Sequence, residues 1–580
     1  MAMRYLACLA PQGIVSGKSL RTLTGVATAN PPLSLVLDTP TLAVIATGKL
    51  LAVGDRGIIV GDLFERGRSI GALSALTQRT IIDTGGASLI DDAWGNYVAL
   101  LAPTDQQPAL VLRAPFGTLP CYFVESGECV FVASDLALLR ATGLVQPRVD
   151  GDELRRYLLS EDLVRPETCI QDLREIPGGW RATLTLPRVE IEPCWSPWPM
   201  MRPPRAISDA TDAANRLRDA IGQVVSALIT PTAKPLLRLS GGLDSSIMAA
   251  ALVACDREVT ALTFTAAHPA SDERRFARLV AGHLSIPLIE RALDSAEVDL
   301  EASDTLLPRP AQRAFEQASR ALSSAAAAEI GADAVVDGGA GDQMFCSIAS
   351  PRLAADCLVG GDASARFWPA VGDLATLSRS SVVKVAWQTW RSQRRSNAFR
   401  FPLDDRFLVG VEAADRVAAS AHPWLDAPTD IPPGRAAHAA LVVAAMALGE
   451  PRGADRPLAA VSPLLSQPVA ECCLAIPSWM WIAGGRDRSI ARAAFADRLP
   501  PTILTRRSKG SPDSFLVDLY DARRDQLRAM LLDGKLAAME LLDRAALAST
   551  LDDQRPVSGP AFYRILRLAD AEAWARAVEA

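Results

Sequence analysis

Apolar runs of four or five residues, each closed by Gly, Pro, Asp or Ser, recur through the first two hundred positions. They are Leu33–Leu37, Leu42–Ala46, Gly57–Val60, Tyr97–Leu101, Ala109–Arg113 and Cys129–Ala133. Runs of that length and boundary predict strands, and their spacing predicts stacked antiparallel sheets. Helical spacing falls between them near Ser69–Thr77 and at Asp152–Leu159, the latter with Asp150 as N-cap. The pattern breaks across Pro193-Cys194-Trp195-Ser196-Pro197-Trp198-Pro199 and Pro203-Pro204, which predicts a boundary dividing the chain into 1–200 and 201–580. Beyond it, helix and strand alternate: helix Asp209–Leu228, strand Pro235–Leu239, helix Ser245–Ala254, strand Val259–Phe264, helix Asp272–His283, and a strand ending at Val335-Val336. Alternation of this kind predicts a parallel α/β sheet. From about 350 onward Ala, Leu and Arg at helical spacing dominate, with proline breaks at 428–433 and 500–501.

Composition narrows the class. Of 580 residues 49% are hydrophobic and 22% charged, as in a soluble globular protein with a sizeable core. Sixty Lys plus Arg against 66 Asp plus Glu leave a net charge of −6, which argues against a nucleic-acid binder driven by phosphate contacts. Ten cysteines without a CxxC pair and four scattered histidines without HExxH speak against zinc and fit a reducing cytoplasm. The longest apolar stretch, Ala439–Leu448, falls short of the ~20 residues of a membrane span. Met1–Pro11 carries one Arg and too short an apolar run for a signal peptide. Lysine occurs only at 18, 49, 234, 384, 509 and 535, so arginine is the default cation and any lysine is informative.

Chemistry concentrates in three segments. In Pro235–Ile247 an apolar strand runs into Ser240-Gly241-Gly242-Leu243-Asp244-Ser245-Ser246 and then a helix. Glycines permit a tight turn with exposed N–H groups, the helix N-terminus adds partial positive charge, and three serines add hydroxyls, which together suit a pyrophosphate. Asp244 would repel phosphate without an intervening cation, so Mg²⁺ is expected. No GxxxxGK[ST] is present, so a Walker ATPase is disfavoured and cleavage between the α- and β-phosphates preferred. The second segment, Val335–Phe345, ends a strand in a glycine-rich turn bearing Asp337 and Asp342. Ligands of α/β sheets bind at the carboxyl ends of strands, so Asp342 is expected to face Asp244 and complete the Mg²⁺ site. In the third, Pro500–Gly510, Lys509 breaks the arginine habit. A compact ammonium suits a point contact to pyrophosphate or a developing oxyanion.

These residues make the chain resemble the asparagine-synthetase superfamily over nearly its whole length. The resemblance rests on Ser240–Ser246, Ser271-Asp272-Glu273 with Ala277, Gly338–Asp342, Ser462-Pro463-Leu464-Leu465 and Arg506–Gly510. In the N-terminal part it rests on Arg113–Phe123, Phe131–Asp135 and Thr168–Gly179 followed by Cys194-Trp195. It implies an N-terminal α+β Ntn-type αββα sandwich, here a degenerate glutaminase, and a C-terminal α/β PP-loop (adenine nucleotide alpha hydrolase-like) synthetase domain with a helical extension. It also implies ATP and Mg²⁺, a carboxylate adenylated and then captured by an amine, Arg238, Leu239, Phe264 and Gly341 beside the nucleotide, and Asp272 and Glu273 either on the substrate side or starting a helix. Lys509, Asp244 and Asp342 take the catalytic roles.

The departures select a subgroup. Glutamine-using members carry Cys directly after the initiator Met, where this chain has Ala2. Their Asn-Gly-Glu-x-Tyr-Asn reads Ile59-Val60-Gly61-Asp62-Leu63-Phe64, and their Asp-Gly-x-Phe reads Asp92-Ala93-Trp94-Gly95. Gln343 stands where asparagine synthetases have Glu, and Gly339 where β-lactam synthetases have Tyr. Asp337–Cys346 is most similar to the lasso-peptide cyclases, which join a precursor peptide's Asp or Glu side chain to its own N-terminal amine, working with a leader-binding protein and a leader peptidase. The alternatives are an ammonia-using asparagine synthetase, a β-lactam-type ring closure, a PP-loop tRNA-modifying enzyme and a silent scaffold.

Overall fold

In the computed structural model, residues 3–579 are described except 66, 162, 186–187, 231–232, 266–271, 305, 360–364, 394–398, 451–458, 508–512, 554 and 556–558. Among the described residues thirteen strands come from the first third of the chain: β1 Arg4–Leu9, β2 Ser34–Asp38, β3 Leu42–Thr47, β4 Leu50–Val53, β5 Gly57–Glu65, β6 Arg68–Ser69, β7 Trp94–Leu101, β8 Ala109–Arg113, β9 Tyr122–Ser126, β10 Cys129–Ala133, β11 Arg174–Glu175, β12 Trp180–Thr185 and β13 Arg188–Pro193. They form two antiparallel sheets, ordered β11-β9-β10-β1-β3-β2 and β13-β12-β8-β7-β5-β4, with β6 on β5.

Side-chain alternation along β1 sets the layers. Tyr5, Ala7 and Leu9 join a core that includes Ile59, Tyr97 and Val111 of the second sheet. Leu6 and Cys8 point the other way, into a core with Leu23 and Val26 of the helix Gly17–Ala29, Leu138 and Leu154. Helices Ala75–Asp83 and Ala87–Asp92 bring Ile81 and Leu89 to the second sheet. The result is the expected helix–sheet–sheet–helix stack. β1 is buried on both faces and so shows no polar alternation. One expected element moves: the helix near Ser69–Thr77 is in fact Ala75–Asp83. Ser74 caps it by accepting from Thr77 N, while Arg68–Ser69 pairs with β5. The helix Gly151–Leu159 has Asp150 as its cap, accepting from the N–H groups of Asp152 and Glu153.

Five further strands are parallel: β14 Pro235–Arg238, β15 Thr260–Thr265, β16 Leu288–Ala292, β17 Ala334–Val336 and β18 Ala459–Val461. Their order is β16-β15-β14-β17-β18, so the first strand is central and the chain winds outward to both edges. The direction of winding reverses between β14 and β17, which lie side by side with Leu236 opposite Val335. In open α/β sheets such a reversal opens a crevice beyond the strand ends. The helix Leu243–Ala254 that follows β14 is buried on nearly every side, as its apolar run from Ile247 onward requires. The C-terminal helix Ala561–Val578 returns to the first sheet's outer helical layer, where Trp574 Nε1 donates to Leu307 O at 2.9 Å.

Candidate active site

Two turns meet in the crevice at the reversal. The first, after β14, has Gly241 at φ 74°, in the left-handed region, and a Cβ there would lie 2.5 Å from Phe276. Position 241 therefore needs glycine for both conformation and space. Ser240 Oγ accepts from Gly242 N and lies 3.2 Å from Ser245 Oγ. Ser246 Oγ donates to Gly242 O at 2.7 Å. The helix then starts at Leu243 with Gly242 as its N-cap and no capping side chain, so its first-turn N–H groups are open to an anion.

The second turn, after β17, packs directly onto that helix start. A Cβ on Gly338 would come within 2.7 Å of Ser245 N, and one on Gly341 within 2.5 Å of Asp244 Cγ. Asp337 shapes the turn, accepting from Gly339 N at 2.9 Å and Ser462 Oγ at 2.6 Å. Asp342 then sits in the first turn of the helix Gly341–Met344. His438 Nε2 meets Met344 O at 2.9 Å, tying this turn to the buried helix Pro433–Met446, and burial lowers the His438 pKa to about 4. Asp356 holds that helix's start, accepting from Gly434 N and Arg435 N, and burial pushes its pKa up to about 6. Because Gly341 abuts Asp244, Gly341→Ala should displace that carboxylate. The rate of the reaction at this site is expected to fall about a hundredfold, the effect of a misplacement near 1 Å, and an unchanged rate would mean that the contact does not position Asp244.

Asp244 and Asp342 converge on one guanidinium that sequence reading missed. Arg488 Nη1 lies 3.2 Å from both Asp244 oxygens and 2.7 Å from Asp342 Oδ1, with its side chain 10% exposed. Burial opposes its charge, but Asp244, Asp487 and Asp342 outweigh burial and raise its pKa. Asp487 accepts from Ser347 Oγ at 2.7 Å and pairs with Arg492, which fixes the Arg488 loop to the second turn. Arg492 also donates to the carbonyls of Ile503, Leu504 and Arg506. Two carboxylates gripping one cation are a donor set of the kind that holds Mg²⁺, so the residues fit that ion. Among the described residues no group of three or more His, Cys, Asp and Glu is arranged so that it could hold a metal ion by itself.

The remaining candidates lie around the same sheet ends or along their strands. Leu239 is buried and donates its N–H to Leu262 O at 2.8 Å. Arg238 Nε donates to Ser323 Oγ at 3.0 Å. Phe264 meets Phe315 edge to face, 6.4 Å between centroids. Asp272 accepts from Arg274 N at 3.0 Å and pairs with that guanidinium, a helix-start arrangement. Glu273 pairs with Arg506, whose Nη1 also donates to Gly241 O at 3.0 Å and whose guanidinium lies 3.7 Å from the Phe276 ring centroid. Arg506 thereby clamps the first turn to the helix Arg274–Leu284. Lys509 and Ser271 lie outside the described residues.

In the N-terminal sheets Ala2 also lies outside the described residues. Cys8 is buried in β1 between Phe131 and Ala43, and burial raises its thiol pKa. The two segments compared above with those of glutamine-using members meet in the β5–β7 ladder, with Leu63 opposite Gly95 and Phe64 opposite Trp94.

The asparagine synthase family profile matches residues 216–576. No curated protein matches the chain. Among solved structures, the glutamine phosphoribosylpyrophosphate amidotransferase from B. subtilis, complexed with ADP and GMP, is similar at 10% identity over 58% of this chain and 90% of that one, with a TM-score of 0.22. A structure described as the allosteric regulatory enzyme of purine biosynthesis is similar at 8% identity over 58% and 89%, with a TM-score of 0.21.

Proposed function

The chain belongs to the asparagine synthase family and is an ATP-dependent ligase, and from that premise we propose that it is a lasso-peptide cyclase: it adenylates a side-chain carboxylate of a precursor peptide and closes a macrolactam with the peptide's own N-terminal amine. The observation that carries the chemistry is the meeting of Asp244 and Asp342 on one cation in the crevice between β14 and β17. The turn's own sequence supports the specificity. Gln343 offers no carboxylate and Gly339 no phenol to take a proton from an incoming amine. An α-amine, with an ordinary pKa of ~7.7–8.0, is substantially neutral near pH 7 and depends least on such a base.

In this reading ATP lies across the ends of β14 and β15, flanked by Arg238, Leu239, Phe264 and Gly341. The Ser240–Ser246 turn and the open helix start bind its β- and γ-phosphates. Asp244 and Asp342 would hold the Mg²⁺, which when bound neutralises charge on the departing pyrophosphate. A peptide carboxylate oxygen attacks the α-phosphorus, the bond to the bridging oxygen breaks, and pyrophosphate leaves. The N-terminal amine then attacks the acyl carbon, AMP departs with the electron pair of the acyl–oxygen bond, and the amine proton passes to solvent. Lys509 steadies the pyrophosphate and then the tetrahedral oxyanion. Holding carboxyl and amine of one folded peptide together supplies the effective concentration a free amine lacks. A leader-binding protein and a leader peptidase would deliver the peptide in the cytoplasm.

The test is direct. Leader-processed peptide, ATP and Mg²⁺ should yield AMP and a product lighter by one water, with the N-terminal amine blocked. Asparagine formed from aspartate and ammonium, with peptides ignored, would replace this reading by the ammonia-using one.

A further inference from the structure

Among the described residues, six of the thirteen large apolar side chains that stand exposed fall within residues 359–390, so the exposure is concentrated in one stretch of helices. Trp368, Trp387 and Trp390 are 65%, 53% and 45% exposed, whereas the other tryptophans are buried or half-buried. Trp368 opens the helix Phe367–Ser378, and the other two lie on the helix Val382–Gln393 that follows it after three residues. The pair makes a helical hairpin whose second member packs on the helix Pro351–Val359.

Helical periodicity shows that this exposure is organised. At 100° per residue, Val383, Trp387 and Trp390 fall within a sector of about 60°. Val385 and Thr389, the buried residues of this helix, lie on the opposite side. The helix is therefore apolar on its packed face and again on its outer face, with Val383 79% exposed on the latter. Lys384 and Arg391 share one shoulder of the outer stripe, and the Arg391 guanidinium lies 4.6 Å from the Trp387 ring centroid. Across 365–393 the cations Arg366, Arg379, Lys384 and Arg391 face a single acid, Asp373, which accepts from Gly485 N. In a chain of net charge −6 this is a locally basic segment, with Lys384 and Arg391 the two of its cations that flank the outer stripe.

We propose that the outer face of the helix Val382–Gln393 seats on an anionic lipid headgroup layer and holds the enzyme peripherally at a membrane surface. Tryptophan partitions to the headgroup region because its ring is apolar and its N–H polar. Cations on the shoulder of an apolar stripe can reach lipid phosphates while the stripe sinks between them. No helix of the described residues is long and apolar enough to cross a membrane, so the contact is in-plane. A second copy of the chain is disfavoured because two basic patches would face each other. The inference is independent of the ligase chemistry.

Flotation of the full chain with vesicles tests it. Phosphatidylcholine vesicles containing phosphatidylglycerol should carry the protein, pure phosphatidylcholine vesicles should carry far less, and added salt should weaken the binding. The double variant Val383→Ser, Trp387→Ala should bind about tenfold less, from the lost apolar burial. The variant Lys384→Glu, Arg391→Glu, which leaves the stripe whole, should lose the preference for anionic lipid. Both should keep wild-type circular dichroism and adenylation. Vesicle binding that is absent, or indifferent to both variants, overturns the proposal. So does self-association or capture of an acidic protein that Trp387→Ala abolishes while vesicles are ignored.

Discussion

Asp342→Asn is expected to reduce AMP formation about a thousandfold, the equivalent of roughly 4 kcal/mol of lost charge stabilisation at the departing pyrophosphate. The substitution keeps the side-chain shape and removes only the charge. Arg488 retains Asp244 at 3.2 Å, and Asp337 and Ser462 still shape the turn, so the fold should survive. Asp244→Asn should do the same at a more buried position, since Asp244 is 7% exposed. The measurement is ATP–pyrophosphate exchange with the proposed peptide substrate, alongside a melting curve. A variant that melts like the wild type and still exchanges at more than a tenth of the wild-type rate removes the carboxylates from the reaction. The doubly substituted chain should be no worse than either single one, because the two act as one charge site.

The sequence made the two turns visible because both combine a short apolar strand with residues of unusual chemistry. Ser-Gly-Gly-x-Asp-Ser-Ser and Gly-Gly-Ala-Gly-Asp announce a tight backbone and an acid at one strand end. Parallel alternation then places both at the same edge of a sheet. What could not be read was the cation between them. Arg488 belongs to Gly484-Gly485-Arg486-Asp487-Arg488, and in a chain where arginine is the default cation nothing marks it out. The one available signal is electrostatic: two carboxylates predicted to share a crevice require a positive group in the nucleotide-free chain. Arg506 hid for the same reason, and its work on Gly241 and Glu273 emerges only from the fold. In the N-terminal part the helix Gly17–Ala29 escaped because it has a weakly patterned, threonine-rich face.

A second large effect is expected far from the chemistry. Arg113 ends β8 fully buried, with Nη1 2.7 Å from Glu175 Oε1 and Nη2 3.0 Å from Glu450 Oε1. Arg309 pairs with Glu175 from the other side and donates to Arg165 O and Glu167 O. Two arginines and two glutamates thus close a network that joins the antiparallel sheets to the chain beyond the helix Pro433–Met446. Burial would raise the Glu175 pKa, but Arg309 and Arg113 outweigh it and hold it low. Glu450 goes the other way: burial, aided by Glu175, lifts it from 4.5 to about 7. The stability that the neutral Glu450 carboxyl contributes is complete below its ordinary value and fades as pH rises toward 7. Arg113→Met should cost about 3 kcal/mol, the lower end for breaking a buried pair, because Arg309 still faces Glu175. Without Arg113 an ionised Glu450 has lost its nearest countercharge, so the loss should be larger at about pH 8 than at about pH 6. Adding Glu450→Gln should recover most of the difference between the two pH values, since the amide cannot ionise. Urea unfolding midpoints of the wild type, the single variant and the double variant at both pH values decide it. An equal loss at both, or no recovery in the double variant, would mean that Glu450 is not the group whose ionisation Arg113 balances.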